Sequence, residues 1–421
     1  MAAQPIISVA EARNIVREKI TTLGTERVSI LDAVGRVLAE DVFSDIDVAA
    51  FDDSAMDGFA VITADLEDAS ADNPVQLECV GHIGAGSVYD DAVTPGQTVR
   101  IMTGALMPDG VDSVVKIEDV TFEGEGGVGD KITFSAPTKL DKNIRRAGQE
   151  AKAGEKIIEA GDVITPAGTG LLASCGNLEV VVYKRPLVGL ISIGSELVDA
   201  TEKPSRGMIR NSNIWAMQAN VVAAGATPKV YPTAIDDSAI IKETYERAAA
   251  ECDAVVSTGG ACLGDFDLTA GVIEQIGTLF FQRVDVKPGK SQPFGEINGT
   301  PVFILSGNPA ASSMGFELYT RLALRIMQGY TDTDRATVKA HITKDVRKKD
   351  PRMFLERAVL TTREDGEYEV TTMKNQSSAL FGALQACNCL AVIPSGLDGV
   401  SEGDLVTCII TTVDESLPLH V

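Results

Sequence analysis

The chain has 421 residues, and its 60 acidic side chains against 37 Lys and Arg give a formal net charge of -23. So negative a surface excludes a duplex nucleic-acid binder, which gains most of its affinity by neutralising phosphates with Lys and Arg. An apolar share of 44% with 23% charged residues excludes wholesale disorder.

The chain shows neither a basic start leading into an apolar core nor a run of the roughly 20 apolar residues that a bilayer span needs. A cytoplasmic protein with no membrane partner is the expectation. Seven cysteines without a Cys-x-x-Cys pair point to reduced, buried thiols rather than a disulfide framework or zinc site.

Taken in chain order, Ser8 and Glu11 form a capping box that opens a helix to about residue 20, and a second short helix is expected over 31–38. Alternating segments at 75–80, 98–102, 113–117 and 131–134, broken by Gly, Pro and Asp, predict a β-rich lobe over 46–143. Residues 144–184 return to helix and turn, with Thr165-Pro166 starting a helix. They are expected to pack back on residues 1–45 as a discontinuous helical linker domain.

An α/β domain follows over 185–331, with apolar runs at 187–193, 228–235, 254–257, 279–286 and 302–305. Asn213 is read as a helix cap, Asp237 and Asp267 each precede a helix, and the last helix spans 310–327. Short strands at 336–342, 354–360, 368–373, 389–393 and 405–411 predict a C-terminal β-barrel or sandwich over 332–421. The fold class is thus α/β plus β, multidomain, built around a parallel sheet.

An open parallel sheet sends every strand's carboxyl end to one edge, so residues distant in sequence converge there. The runs of the α/β domain lead in turn to Glu196, Asp236, Asp267, the pair Lys287 and Lys290, and Ser306-Gly307-Asn308-Pro309. Gly259, Gly260 and Gly264 let a ligand approach the main chain, while the acids imply a divalent cation between them and any phosphate. The plainer alternative is a tight turn with Asp267 as a helix cap.

Lys287-Pro288-Gly289-Lys290 reads either as an oxyanion clamp or as a solvated turn. The 306–309 segment, opening a helix, favours an oxyanion through its amides, but it is not a Walker loop. Asp52, Asp53 and Asp57 cluster beside a turn glycine, either on a solvated surface or near a cation. The three histidines lack ligand spacing, and 194–197 lacks the second glycine of a hydrolase elbow.

The blocks at 54–61, 101–105, 143–150, 194–197, 258–267, 287–293 and 307–309 together resemble the molybdopterin molybdenumtransferase family. This family includes the E domain of gephyrin and its plant counterpart. The resemblance covers nearly the whole chain, in the family's order. It implies an elongated homodimer that cleaves adenylylated molybdopterin with Mg²⁺, inserts molybdate into the dithiolene and releases AMP.

By the same resemblance Glu196, Asp236 and Asp267 hold the cation, with Gly259, Gly260, Gly264 and 306–309 on the pterin substrate. Lys287, Lys290, Arg352 and Ser378 take the oxyanion. Asp57 and Thr103 are brought to the cleft by the dimer partner, and the molybdopterin adenylyltransferase is a further implied partner. Ala311 departs from a family serine at the oxyanion site. The alternatives carried are a molybdopterin adenylyltransferase, a tungstate-using paralogue and a gephyrin-like scaffold.

Overall fold

The computed structural model describes residues 5–260 and 268–412, which divide into two compact units: Arg27–Val182, and the remainder. No described helix is long and apolar enough to cross a membrane. The six cysteines described are buried and free of disulfides.

In the Arg27–Val182 unit a six-stranded sheet runs in the order Ser113–Lys116, Gly58–Val61, Gln97–Ile101, Val75–Ile83, Lys131–Phe134 and Val120–Phe122. Its core packs Phe59 edge-on against Phe122 and Phe134, with Val61, Leu66 and Leu77 around them. Large aromatic faces and β-branched residues suit a pleated surface buried on one side.

The linker segments differ from the helical expectation. Among the described residues of this unit one α-helix occurs, Pro166–Ser174, with Pro166 in its first turn and the Thr165 hydroxyl accepting from the Gly168 amide. Residues 31–35 are turns instead, and Val37 and Leu38 form β-bridges. Gly35 adopts φ +75° and breaks the run, and Leu38 pairs in extended form with Val182. The rest of the linker is short paired strands, including Val42–Phe43 with Lys156–Ile158 and Asp53–Ser54 with Ile144–Arg145.

The first helix, Val9–Lys19, carries the expected capping box from Ser8 and Glu11. It is grouped with the α/β unit, not with the unit that contains 144–182. Val9, Ala12 and Val16 are buried in the core of the α/β unit among Phe281, Val284 and Leu322, and Ile6–Ile7 pairs alongside Thr278–Val284. A stripe of small and β-branched residues at helical spacing explains that docking.

The main sheet of this second unit has seven strands, in the order Ile6–Ile7, Thr278–Val284, Ser291–Ile297, Thr300–Leu305, Ala254–Thr258, Leu187–Ser192, Thr227–Val230. The last four run parallel, but Ser291–Ile297 runs antiparallel to both neighbours. The sheet is therefore mixed. Ser291–Ile297 joins Thr300–Leu305 through Asn298-Gly299, whose φ values of 49° and 84° suit a two-residue hairpin turn.

The helix expected over 310–327 is three segments: Pro309–Gly315, a π-helical Phe316–Thr320 and Arg321–Met327. Beyond it, five strands close into a barrel. Met353–Thr362 pairs with Tyr368–Thr372 and with Cys389–Ile393, while Thr337–Ile342 and Leu405–Ile410 complete the ring. Phe354, Leu360, Val370 and Ile393 fill its interior. Val286–Lys287 pairs with Met353–Phe354, tying the barrel to the loop edge of the main sheet.

Candidate active site

The carboxyl ends of the parallel strands are laced to one another before any side chain is considered. The Ile193 amide donates to the Thr258 carbonyl, Gly194 to Ala234, and Gly259 to Leu305. Gly259 has φ +93°, and a Cβ there would lie 2.0 Å from the Ile193 carbonyl oxygen. At Gly260 a Cβ would meet the Thr269 hydroxyl at 2.0 Å. Glycine is required at both positions because the loop passes directly over its neighbour. Gly264 lies outside the described residues.

Glu196 and Asp236 sit on adjacent loops of this edge. The Ser195 amide donates to the Asp236 carboxylate at 2.9 Å, and the Asp236 amide returns a bond to the Ser195 hydroxyl at 3.1 Å. The Glu196 carboxylate folds back over Gly194, where a Cβ would approach it to 2.6 Å. Among the described residues no three His, Cys, Asp or Glu side chains form a group able to hold a metal ion. Asp267, expected as the third carboxylate, lies outside the described residues. The two acids that are described are hard oxygen donors of the kind that suits Mg²⁺.

Two cavities open along this edge. A smaller one of about 270 Å³ is lined by Glu196, Asn211, Asn213, Gly259, Gly307 and Pro309, among others. A larger one of about 770 Å³ is lined by Lys287, Lys290, Ser306, Arg352, Arg357 and Ser378, among others. Asn308 lines both. Of the expected substrate residues, Gly259, Gly307 and Pro309 line the smaller cavity, Ser306 the larger and Asn308 both, while Gly260 lines neither; the expected oxyanion residues Lys287, Lys290, Arg352 and Ser378 all line the larger.

The cations of the larger cavity are held in different ways. The Lys287 ammonium lies 4.5 Å from the centroid of the Phe354 ring. Arg352 is clamped to Asp350, donating from Nε at 2.9 Å to both carboxylate oxygens. That clamp pulls the Asp350 carboxyl far below the usual carboxylate range.

The helix N-terminus at 309 offers fewer donors than its position implies. Pro309 has no N–H, the Ala310 amide donates to the Ser378 carbonyl at 2.8 Å, and the Asn308 amide to the Ser306 hydroxyl at 3.2 Å.

Several residues of this edge escape a sequence reading. Asn213, read as a helix cap, is instead the first residue of Asn213–Ala223, and its Nδ2 donates to the Gly307 carbonyl at 2.8 Å. Gln292, almost wholly buried, donates to the Ala311 carbonyl at 3.1 Å and fills the space that Gly289 and Gly315 leave open. An Asn before a helix looks like a cap, and a glutamine between Ser291 and Pro293 gives no periodic signal. Only the folded neighbours reveal either role.

Asp57 and Thr103 belong to the Arg27–Val182 unit and meet there. The Thr103 amide and hydroxyl both donate to one Asp57 carboxylate oxygen, at 2.7 and 2.8 Å. The amide bond first, and then the hydroxyl, hold this exposed carboxyl below its ordinary value.

The sequence divides among three described families. Residues 7–176 match the MoeA N-terminal region (domain I and II), 189–325 a probable molybdopterin binding domain, and 339–410 the MoeA C-terminal region (domain IV).

A molybdopterin molybdenumtransferase of Staphylococcus aureus (strain COL) is 34% identical over 409 residues, 97% of this chain and 96% of that protein. One from Bacillus subtilis (strain 168) is 35% identical over 388 residues, 91% of this chain and 89% of its own length. The crystal structure of a molybdopterin biosynthesis moeA protein from Pyrococcus horikoshii OT3 superposes with a TM-score of 0.82 at 30% identity. It covers 96% of this chain and 100% of that one. With the same multidomain architecture and this identity over nearly its full length, the chain belongs to the molybdopterin molybdenumtransferase family.

Proposed function

We propose that the protein transfers molybdenum from molybdate to adenylylated molybdopterin, with cleavage of the pyrophosphate bond and release of AMP. The observation that carries this reading is the pair of adjoining cavities. One is lined by cations in a chain of net charge -23, and the other by a carboxylate and a glycine loop. A tetrahedral dianion suits the first, through Lys287, Lys290 and Ser378. The pterin and its phosphates suit the second, where Gly259 and Gly307 admit the ligand to the main chain.

Glu196 and Asp236, joined by Asp267, would hold Mg²⁺. When bound, that ion supplies charge neutralisation on the bridging phosphates as the P–O bond breaks. Water adds across that bond, so AMP leaves with one phosphate and the pterin keeps the other. At the oxyanion, both thiolate sulfurs bind molybdenum while one oxo group departs as water with the two thiol protons. The chain's own contribution is proximity: the shared side chain Asn308 sets the two ligands side by side.

The reading extends to a cytoplasmic homodimer in which Asp57 and Thr103 of one copy serve the cleft of the other. It also includes a hand-over of adenylylated pterin from the adenylyltransferase, with tungstate as the competing oxyanion. The test mixes purified protein with adenylylated molybdopterin, Mg²⁺ and molybdate, and follows AMP. Release that depends on all three is expected. Lys290→Ala should raise the half-saturating molybdate concentration by about tenfold, the loss of one charge-assisted bond. Absence of AMP release from the unaltered protein would remove the reading.

A further inference from the structure

A third cavity, of about 360 Å³, adjoins the smaller of the two already described and shares Asn211 with it. Two chain segments wall both. Glu196 lines the smaller cavity and Asp199, three residues on, the third; Asn213 lines the smaller and Trp215 the third. Asn211 stands between the two cavities and is fixed from both sides. The Ser192 hydroxyl donates to its Oδ1 at 3.1 Å, and its Nδ2 donates at 3.3 Å to the hydroxyl of Thr233, which lines the third cavity.

The third cavity differs in chemistry from the larger one. No Lys or Arg lines it, and its one lining carboxylate is Asp199. The Thr201 hydroxyl and amide both donate to one Asp199 oxygen, at 2.6 and 2.9 Å, and hold the group ionised. A phosphate or a metal oxyanion is repelled there. What remains of the lining is mostly apolar, with Val230, Pro232 and the indole of Trp215, the one tryptophan of the chain. The helix Asn213–Ala223 buries Ile214, Met217 and Val221, whereas Trp215 is 58% exposed. An exposed indole in a cavity wall offers a face on which a flat heteroaromatic ring stacks.

A ligand with its phosphates in the smaller cavity has the third within reach past Asn211. Adenylylated pterin carries a pterin on one side of its pyrophosphate and adenosine on the other. We infer that the third cavity takes the adenosine end, with the Trp215 indole stacked on the base. The inference rests on the reading of the reaction given above and names where the leaving AMP is held. The stack reads a ring face, which every base has, so GMP fits the same place, whereas ribose 5-phosphate lacks the ring.

The single tryptophan makes the test direct. The full-length protein with Mg²⁺ is excited at the red edge of the indole band, where AMP does not absorb, and titrated with AMP, GMP or ribose 5-phosphate. AMP binding is measured in parallel by calorimetry on the unaltered protein, Trp215→Phe and Trp215→Ala. AMP and GMP should change the emission saturably, and ribose 5-phosphate should not. Trp215→Ala should bind AMP about tenfold more weakly, the loss of one base–aromatic stack. Trp215→Phe, which keeps an aromatic face, should retain most of the affinity.

Calorimetric binding of AMP without a change in Trp215 emission overturns the inference and leaves the reading of the reaction standing. Equal AMP affinity in Trp215→Ala and the unaltered protein does the same. No calorimetric binding of AMP to the unaltered protein also overturns it, since a cavity shaped for the nucleoside binds the free nucleotide. Saturable quenching by AMP in a protein that releases no AMP from adenylylated pterin supports the nucleotide site and removes the reaction.

Discussion

Burial pushes the Glu356 carboxyl above its ordinary value, against the opposing pull of Arg357, Lys287 and Lys344. The folded chain therefore keeps a proton that the unfolded chain has already released, and stability falls as pH rises from the ordinary glutamate value through the folded one. Above that window the loss is complete. Glu356→Gln lacks this titration, so it should gain stability over the unaltered protein at about pH 8 relative to about pH 4, read as the difference in denaturant midpoints. A difference that does not change between the two pH values would show that Glu356 does not titrate differently on folding.

The same residue shows where a sequence stops being readable. Lys287 and Lys290 announce themselves by following a strand with Pro and Gly between them. Glu356 and Arg357 lie inside a strand between apolar neighbours, where charge has no visible purpose until the barrel sets them beside the cavity. Arg352 was legible as a cation, but its cancellation by Asp350, two residues earlier, was not.

At the scale of elements, the glycines of the edge loops are not equivalent. A Cβ at Gly259 would sit 2.0 Å from a carbonyl oxygen on a backbone at φ +93°, whereas one at Gly307 would lie 3.6 Å from Gly259 Cα, in ordinary contact. Gly259→Ala should lower stability by about 1 to 3 kcal/mol or more through strain and displacement of the loop. Gly307→Ala should leave the thermal midpoint near that of the unaltered protein while crowding the smaller cavity. Equal midpoints for the two variants would contradict this account of the loop.

Strands and barrel were legible because alternation and apolar runs survive into the fold. The antiparallel Ser291–Ile297 was not, since its Asn298-Gly299 turn lies between two runs whose spacing also fits a crossover. Residues 31–38 have helical spacing, and Gly35 together with the bridges of Val37 and Leu38 overrides it.

At the scale of the molecule, the resemblance and the architecture agree, yet the acids expected in one reaction fall in separate compact units. Asp57 belongs to Arg27–Val182, and Glu196 to the unit that holds both cavities. If the working site is completed by a second copy, as proposed, defects placed on different chains will sort into different sites. A heterodimer of one Asp57→Asn chain and one Glu196→Gln chain, isolated through two different tags, then has one site bearing both changes and one bearing neither. Each homodimeric variant should be nearly inactive in AMP release. The heterodimer should keep about half the activity of the unaltered dimer, because a two-fold assembly offers two equivalent sites. Were Asp57 and Glu196 of the same chain to serve one site, every site in the heterodimer would carry a defect, and its activity would stay at the level of the two homodimeric variants.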